Sequence, residues 1–593
     1  MEVENYFFIE LCHSSKTSLI HGESKLIKGN NKVLRFRYGD LCPVCIENNQ
    51  DRVVVTVGHP SFNGNINNKS FILSYLKNTQ LKADEYIANI DGEFLIIDFN
   101  KLTDEITIIN SRFSSPQVFY ALIDSRFILS TAYSILFKYL FNNGLSSIFT
   151  EKIYEVLLFR RLFGEGTYDN KSKYLQSASK LVLGEKLNLK RYWSPKFSRN
   201  NRSLNYNAKT LNKLIDESID YKTSDNKKYG IMQSGGLDTR FILSRFEESP
   251  DAFNITYTKN REYKIAKKLV DYKKGSFTWI QANAGQYEKY FDYGSKITGG
   301  MFQDSALFYG HRDIIANNCD VLFSGYGMDY FFQGMYLPSK MYHLFGELVP
   351  YYKTLAKINT DIASYFINTI SYKTKGFNLS DIMTKNQRVS MQDSIHDSIT
   401  AQANEAKKYS DNLYDIYEYM SLGDLSRHYT YTGQLALMEL TEYRTISYTN
   451  KILNFYYDLP LKHRFDARVL RRALLFSDKR FYEMPSANHG HCAGYSSFRL
   501  GMAHIYKHLP ERIGIKERKR KFERTWMTAE DILKSELLNR VHKLKHSEVI
   551  SSLNIIDMDK LRHLITRWDD NKIAGNQSLM MLLAVESFFN QQV

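Results

Sequence analysis

Along the first two hundred residues, apolar positions fall in short runs separated by turn residues. Arg52 to Val57 is β-branched, and the run Glu93 to Phe99 is bounded by Asp91-Gly92 and Asn100, so both predict strands and a sheet-rich first domain. Residues 194 to 203 are polar, basic and turn-rich, which marks a connector between a first domain at 1–200 and a second at 206–593. From Tyr229 the pattern becomes strand, tight turn, helix: Gly230 to Gln233 then Leu237 to Phe246, and Phe253 to Tyr257 then Glu262 to Val270. A helix-like Ala306 to Ala316 precedes the strand Val321 to Ser324. Such alternation predicts a parallel sheet covered by helices. Beyond about residue 400 helical spacing dominates, as in Leu533, Leu537, Val541 and Leu544 at steps of four, four and three.

Composition adds boundaries rather than detail. The 593 residues are 43% hydrophobic and 24% charged, which describes a folded globular protein. No apolar run reaches the 18 or so residues that span a bilayer, and a run such as Leu579 to Val585 is soon followed by charge. The start, Met1-Glu2-Val3-Glu4-Asn5, is acidic where an export signal is basic, so the expected home is the cytoplasm. Five cysteines suit a reducing compartment, and Cys42-Pro43-Val44-Cys45 lacks the second pair that would complete a zinc site. The net charge of +15 is densest at Lys516 to Arg524, a cluster suited either to an anionic substrate or to a solvated face, as Glu517 and Glu523 dilute it.

The sharpest chemical signal is Ile231-Met232-Gln233-Ser234-Gly235-Gly236-Leu237-Asp238-Thr239-Arg240, a strand running through Ser-Gly-Gly into a helix. Two glycines allow a tight turn and close approach of a ligand, and the helix start offers unpaired N–H groups, so the turn suits pyrophosphate. No Gly-Lys dipeptide exists to complete a Walker-type loop. Asp238, at the edge of the turn, is placed to hold Mg2+ against phosphate oxygens.

This stretch resembles the SGGLDS signature of PP-loop ATP pyrophosphatases, and Val321 to Gly334 (VLFSGYGMDYFFQG) resembles the SGEGADELFGGY segment of asparagine synthetases. The resemblance implies an α/β protein: an N-terminal glutaminase-like (Ntn-type) β-rich domain, then a PP-loop synthetase domain with a helical C-terminal part. It implies that Ser234, Gly235, Gly236, Leu237, Asp238, Thr239 and Gly325 bind ATP and its pyrophosphate, and that Asp238 and Asp329 hold Mg2+. Two carboxylates meeting at the C-terminal ends of different strands is what a metal-clamped nucleotide requires. Glu442-Tyr443-Arg444 resembles the family's ExR segment, where Glu442 and Arg444 either position the activated carboxylate or form a buried ion pair. Arg468 to Ala473 is similar to its KxxLRxA helix. The catalytic lysine that follows in the family is missing from Glu483 to Cys492, which leaves its role to His489 or His491, or to Lys516 or Lys519.

In the first domain, Asp91-Gly92-Glu93-Phe94, Arg112-Phe113, Phe119-Tyr120, Ser130 and Leu183 to Trp193 follow the order of the family's glutaminase domain. That domain uses an N-terminal cysteine; here Glu2 follows Met1, Cys12 lies deep, and the glutamine-holding RDRFG reads Asn110-Ser111-Arg112-Phe113-Ser114. Without a thiolate, glutamine has no route to acyl transfer, so this domain is expected to be structural. Tyr326 replaces the usual Glu of SGEG, as in β-lactam synthetases, and acts as a base only if neighbouring positive charge lowers its pKa; otherwise it packs or lines the pocket.

The implied activity is an ATP-dependent amide ligase that adenylates a carboxylate, releasing pyrophosphate, and passes it to an amine or ammonia without glutamine. The expected cofactors are ATP and Mg2+. The expected partners are a peptide, amino acid or sugar-acid carboxylate, an amine or ammonia, and a second copy of the chain in a homodimer, with neither membrane insertion nor nucleic acid. The competing readings are a tRNA-modifying PP-loop enzyme, which would suit the charge, and a catalytically inactive scaffold.

Overall fold

The computed structural model describes residues 1–16, 18–19, 23–77, 83–301, 306–344, 347–512 and 527–592. The basic cluster, including Lys516 and Lys519, lies outside the described residues.

The first part of the chain builds two six-stranded antiparallel sheets. One runs in the order Lys173–Tyr174, Phe119–Ile123, Arg126–Ser130, Phe7–His13, Lys32–Tyr38, Lys25–Lys28. The other runs Leu187–Arg191, Ser179–Leu183, Ile106–Asn110, Phe94–Asn100, Arg52–Gly58, Val44–Asn48. Phe7, Ile9 and Phe36 of the first meet Val55, Ile97 and Ile108 of the second in one apolar layer. The far side of the second sheet buries Val54, Phe94 and Ile96 under the helix Asn68–Lys77, so its strands are apolar on both faces and read as continuous runs. The far side of the first sheet buries Phe8, Phe119 and Ile128 under the helices Tyr133–Asn142 and Thr150–Phe159.

Residues 193 to 203 carry no regular structure and lead into the helix Leu204–Lys222, which Ser203 caps through the Tyr206 N–H. A five-stranded parallel sheet follows, in the order Phe277–Gln281, Asp251–Thr256, Tyr229–Met232, Val321–Phe323, Glu442–Tyr443. The helices Leu204–Lys222, Asp238–Arg245 and Arg468–Ser477 pack against one another beside it. The remainder of the described chain is mainly helical, with one antiparallel hairpin, Ser339–Leu344 and Glu347–Leu355.

Two predicted helices are each divided. Residues 306 to 316 form Ala306–Tyr309 and Arg312–Ala316, and residues 529 to 544 form Ala529–Ser535 and Leu538–Leu544. The second break leaves Glu536 free to accept a hydrogen bond from the Tyr287 N–H at 2.8 Å, at the start of the helix Gln286–Thr298. The apolar run at Leu579 belongs to the helix Asn576–Asn590, which is buried nearly all round in the core. Among the described residues no helix is long and apolar enough to cross a membrane.

Candidate active site

The strand Tyr229–Met232 sits mid-sheet, where Gly230 is obligatory: a Cβ there would stand 2.7 Å from the Phe253 ring and 2.8 Å from the Cys319 sulfur. The chain then turns through Gln233 to Leu237 into the helix Asp238–Arg245. The turn is held by its own side chains. Thr239 Oγ1 accepts from the Ser234 N–H at 3.1 Å and lies 2.8 Å from Ser234 Oγ, and Ser234 Oγ accepts from the Gly236 N–H at 3.1 Å. Gly235 donates its N–H to the buried Glu262 carboxylate at 2.6 Å, and its carbonyl accepts from Ala487 N at 3.0 Å and Arg240 Nη2 at 3.1 Å. A Cβ on Gly235 would approach the Ala487 methyl to 2.7 Å, so segment 484–493 lies directly on the turn.

The second turn, Ser324 to Gly327, leaves the neighbouring strand Val321–Phe323 and enters the short helix Met328–Phe332. It abuts the first at Gly325, where a Cβ would stand 2.8 Å from both Asp238 Cβ and Thr239 N. Asp238 and Asp329 thus meet at the C-terminal ends of adjacent parallel strands, both half-buried. Asp238 Oδ1 accepts from Gln333 Nε2 at 2.6 Å, and Asp329 Oδ1 accepts from the Tyr330 N–H at 2.9 Å. Burial and the charge of Asp329 push the Asp238 carboxyl well above its usual value, and burial pushes Asp329 up to about 6. Two carboxyls held together with no cationic partner among the described residues favour sharing a proton, or binding a divalent cation. The donor set fits Mg2+, which takes one or two carboxylates and completes its octahedron with phosphate oxygens and water. Among the described residues no group of three or more His, Cys, Asp or Glu side chains could hold a metal.

Cations border the first turn. Arg240 donates to the carbonyls of Phe481, Met484 and Pro485 at 3.0, 2.7 and 2.6 Å, which fastens segment 484–493 to the Ser-Gly-Gly turn. His489 Nδ1 accepts from the His491 N–H at 3.1 Å. Burial first, then His491, Arg261, Arg240 and Arg471, push His489 down to about 4. It is therefore neutral at pH 7, with Nε2 carrying the proton. Arg261 comes so near Gly490 that a Cβ there would stand 3.0 Å from its Nη1, and its Nε is buried without a hydrogen-bond partner among the described residues. A neutral imidazole beside a guanidinium whose Nε lacks a partner among the described residues is an anion-seeking corner. Sequence reasoning missed Arg261, Arg240 and Gln333. Gln333 had a signal in its spacing, four residues after Asp329.

Three sequence-derived candidates sit differently. Glu442 pairs in register with Val321, at the start of the strand whose end carries Asp329, so Glu442 and Arg444 lie at the opposite edge of the sheet. Arg444, fully buried, donates to Asp225 at 2.9 and 2.5 Å, to the Lys222 carbonyl at 2.6 Å and to Glu442 Oε1 at 2.6 Å. Glu442 also lies 2.7 Å from His59 Nε2 and 2.6 Å from Lys227 Nζ. Burial would raise this carboxyl, but His59, Arg444 and Lys227 together hold it well below the usual carboxylate range. The structure does not bring the pair to Asp238 and Asp329. Tyr326 follows Gly325, with its hydroxyl 3.1 Å from Thr430 Oγ1 and its ring edge-on to Tyr330, Tyr431 and Tyr448. Burial, and after it the charge of Asp329, push the hydroxyl above its ordinary value, so the lowered pKa that a base requires is not met. Tyr326 keeps its proton and lines the site.

In the first part of the chain, Glu93 and Arg112 bond to residues of the second half. Glu93 accepts from Thr445 N at 2.9 Å, Thr445 Oγ1 at 3.0 Å, Ser115 Oγ at 2.9 Å and Lys222 Nζ at 3.4 Å. Arg112 donates to Asn454 Oδ1 at 3.0 Å and stacks over Trp193 at 4.6 Å. The cavity beside them, lined by His59, Glu93, Ser115 and Glu442, measures about 40 Å³. Cys12 and Cys42 are buried, and Cys42 and Cys45 are unpaired thiols.

No curated protein matches the chain. Among solved structures, the allosteric regulatory enzyme of purine biosynthesis is similar at 7% identity over 47% of this chain and 59% of its own, with a TM-score of 0.19. Glutamine phosphoribosylpyrophosphate amidotransferase from B. subtilis, complexed with ADP and GMP, is similar at 8% identity over 46% and 75%, with a TM-score of 0.17. This chain thus spans about three fifths of the first structure's length, and both likenesses are too slight to bear on fold or function. Residues 210–471, a little under half of the chain, are similar to the asparagine synthase family model.

Proposed function

We propose that the chain is an amide-forming ligase of the PP-loop type, following an Ntn-like first domain, that converts ATP to AMP and pyrophosphate and does not use glutamine. The observation that carries the reading is the facing pair Asp238 and Asp329, raised in pKa, with no cationic partner among the described residues and set beside a Ser-Gly-Gly turn. Asp238 and Asp329 would hold Mg2+, which when bound neutralises phosphate oxygens. The turn from Ser234 to Thr239 presents backbone N–H groups to pyrophosphate, and Gly325 gives the room for both turns to meet. With the family's lysine missing from Glu483 to Cys492, Arg261 and neutral His489 beside the turn would stabilise charge that grows on the departing pyrophosphate.

In this reaction a substrate carboxylate oxygen attacks the α-phosphorus, the α–β phosphoanhydride bond breaks, and pyrophosphate leaves. An amine or ammonia, as the free base, then attacks the acyl carbon, the acyl–phosphate bond breaks, AMP leaves, and the proton lost by the nitrogen passes to the departing phosphate or to water. Tyr326 orients groups at the cleft as a neutral hydroxyl. Glutamine is excluded by the first domain's own bonding: Glu93 and Arg112 are engaged, and a cavity of about 40 Å³ holds a water or two rather than an amino acid. A reaction that consumes ATP suits the cytoplasm. The test is pyrophosphate release with Mg-ATP and a panel of carboxylates, supplied with ammonium, organic amines or glutamine. Release that depends on one carboxylate, continues without glutamine and vanishes in Asp238→Asn supports the reading; glutamine-dependent turnover overturns the role given to the first domain.

A further inference from the structure

The hairpin Ser339–Leu344 and Glu347–Leu355 begins ten residues after Asp329, and the helix Ser497–Arg512 begins just after segment 484–493. The two pack closely, since a Cβ on Gly501 would stand 2.7 Å from the Pro350 carbonyl. Tyr351 reaches from the hairpin to His489, with ring centroids 6.3 Å apart, and to His504 at 5.4 Å. Tyr352 joins Tyr342 at 4.9 Å to Phe498 at 5.4 Å. Hairpin and helix therefore form one wall at the rim of the candidate site.

That wall is apolar where a surface is normally polar. Tyr342, Leu348, Tyr351, Phe498, Met502 and Tyr506 are all exposed, Phe498 by 52% and Tyr506 by 82%. Between them stand the exposed cations Lys340, Lys353, Lys357, Arg499 and Lys507, while Glu347 is the single acid in residues 334–357 and 496–507. Contiguous exposed apolar side chains mark a docking surface. The hairpin is also a two-stranded sheet that no third strand joins among the described residues, so a backbone edge remains for an added strand.

We infer that this rim docks an extended polypeptide segment, acidic and carrying apolar side chains, and that the carboxylate activated at Asp238 and Asp329 belongs to such a peptide. The inference rests on the ligase reading for its second half alone. Charge complementarity selects an anionic occupant, and the aliphatic Leu348 and Met502 beside Phe498 favour one with apolar side chains to bury, which a sugar-acid chain does not offer; a nucleic acid, whose bases stack on exposed rings, is the competitor that the experiment separates.

The experiment is fluorescence anisotropy on the full chain without ATP. The probes are a labelled peptide alternating Glu with Leu and Tyr, the same peptide with Lys for Glu, an oligogalacturonate and an oligouridylate of equal length. The Glu peptide is expected to bind, and to lose about tenfold or more in affinity in Lys340→Glu/Lys353→Glu and in Tyr351→Ser/Phe498→Ser, equivalent to about 1.4 kcal/mol. Methylating alternate amides of the peptide is expected to weaken it further if it adds as a strand. Circular dichroism and Tm of the variants, unchanged, separate lost docking from lost folding. Equal binding of the Lys peptide, preference for oligogalacturonate or oligouridylate, no binding of any probe, or full affinity in both folded variants would overturn the inference. Pyrophosphate release with Mg-ATP is measured separately, on small carboxylates and on the bound Glu peptide: release with the peptide supports the second half of the inference, release with small carboxylates alone overturns that half, and release with neither sinks the ligase reading and leaves the docking surface standing.

Discussion

At the scale of single residues, the site is defined by groups whose ordinary protonation is disturbed. Burial pushes Asp329 up to about 6, and burial together with the charge of Asp329 pushes Asp238 well above its usual value, with no cation beside the pair among the described residues. A folded-state pKa above the unfolded one means that stability present at low pH is lost as pH rises through the folded value. The ionised pair therefore costs stability at pH 7, and Asp329→Asn should raise Tm in the absence of Mg-ATP, by about 2 to 4 °C for each 1 kcal/mol relieved, while abolishing pyrophosphate release. A lowered Tm would show that the pair is neither close nor strained. Because Mg2+ needs the ionised carboxylates, its affinity for the free protein should weaken as pH falls below about 6, which isothermal titration at several pH values checks. His489 has the opposite sign. Burial first, and then the cations around it, push it down to about 4, and pyrophosphate bound beside it should raise that value by a unit or more, visible by NMR titration of the ring. Arg261→Ala should weaken pyrophosphate binding while the pKa of His489 in the free protein rises.

At the scale of elements, function depends on two turns that leave neighbouring strands and touch. That contact explains why glycine is needed at Gly235 and Gly325: at each, a methyl would stand under 3 Å from a neighbour, against Ala487 in one case and against Asp238 and Thr239 in the other. Gly325→Ala should separate the two carboxylates and lower turnover by about a hundredfold, as small displacements of a positioned group do, with Mg2+ affinity falling in parallel. Turnover that drops with unchanged Mg2+ affinity would place the damage elsewhere. The strand, Ser-Gly-Gly turn and helix were legible in the sequence because glycine spacing and apolar runs are local signals. Glu442 and Arg444 were legible as a pair but not in place, since no local pattern tells which end of a strand a residue occupies once the sheet assembles. Tyr326 was legible as a site residue while its environment was not: its rings of contact, Tyr330, Tyr431 and Tyr448, come from segments up to 122 positions away. Regular spacing from Leu533 to Leu544 concealed a break, because Leu537 stays in the core on either side of it and Glu536 has a tertiary partner that spacing cannot announce.

At the scale of the whole molecule, the place of the two antiparallel sheets is decided by what the polar residues beside them bond. Glu93 carries four hydrogen bonds or ion contacts, two of them to Thr445, and Arg112 reaches Asn454. Near them, Phe113 stacks on Tyr448 at 4.4 Å, and Ser115 Oγ lies 2.9 Å from the Tyr431 hydroxyl. The apolar core likewise runs without interruption from Phe8 and Leu136 of the first domain to Ile231 and Phe323 of the parallel sheet. An interface built from buried hydrogen-bonded charge and continuous apolar packing makes the two parts unfold together, in contrast to domains joined by a smaller polar contact. Calorimetry should therefore show one transition. Glu93→Ala, which leaves the Thr445 N–H and Lys222 buried without their acceptor, should lower its midpoint by an amount equivalent to about 3 kcal/mol or more. If instead Glu93 served glutamine, the same substitution would leave the midpoint nearly unchanged and remove glutamine-dependent turnover alone. The two outcomes separate a domain that clamps the sheet from one that feeds it ammonia, because buried polar bonds across an interface cannot be removed without cost to both halves.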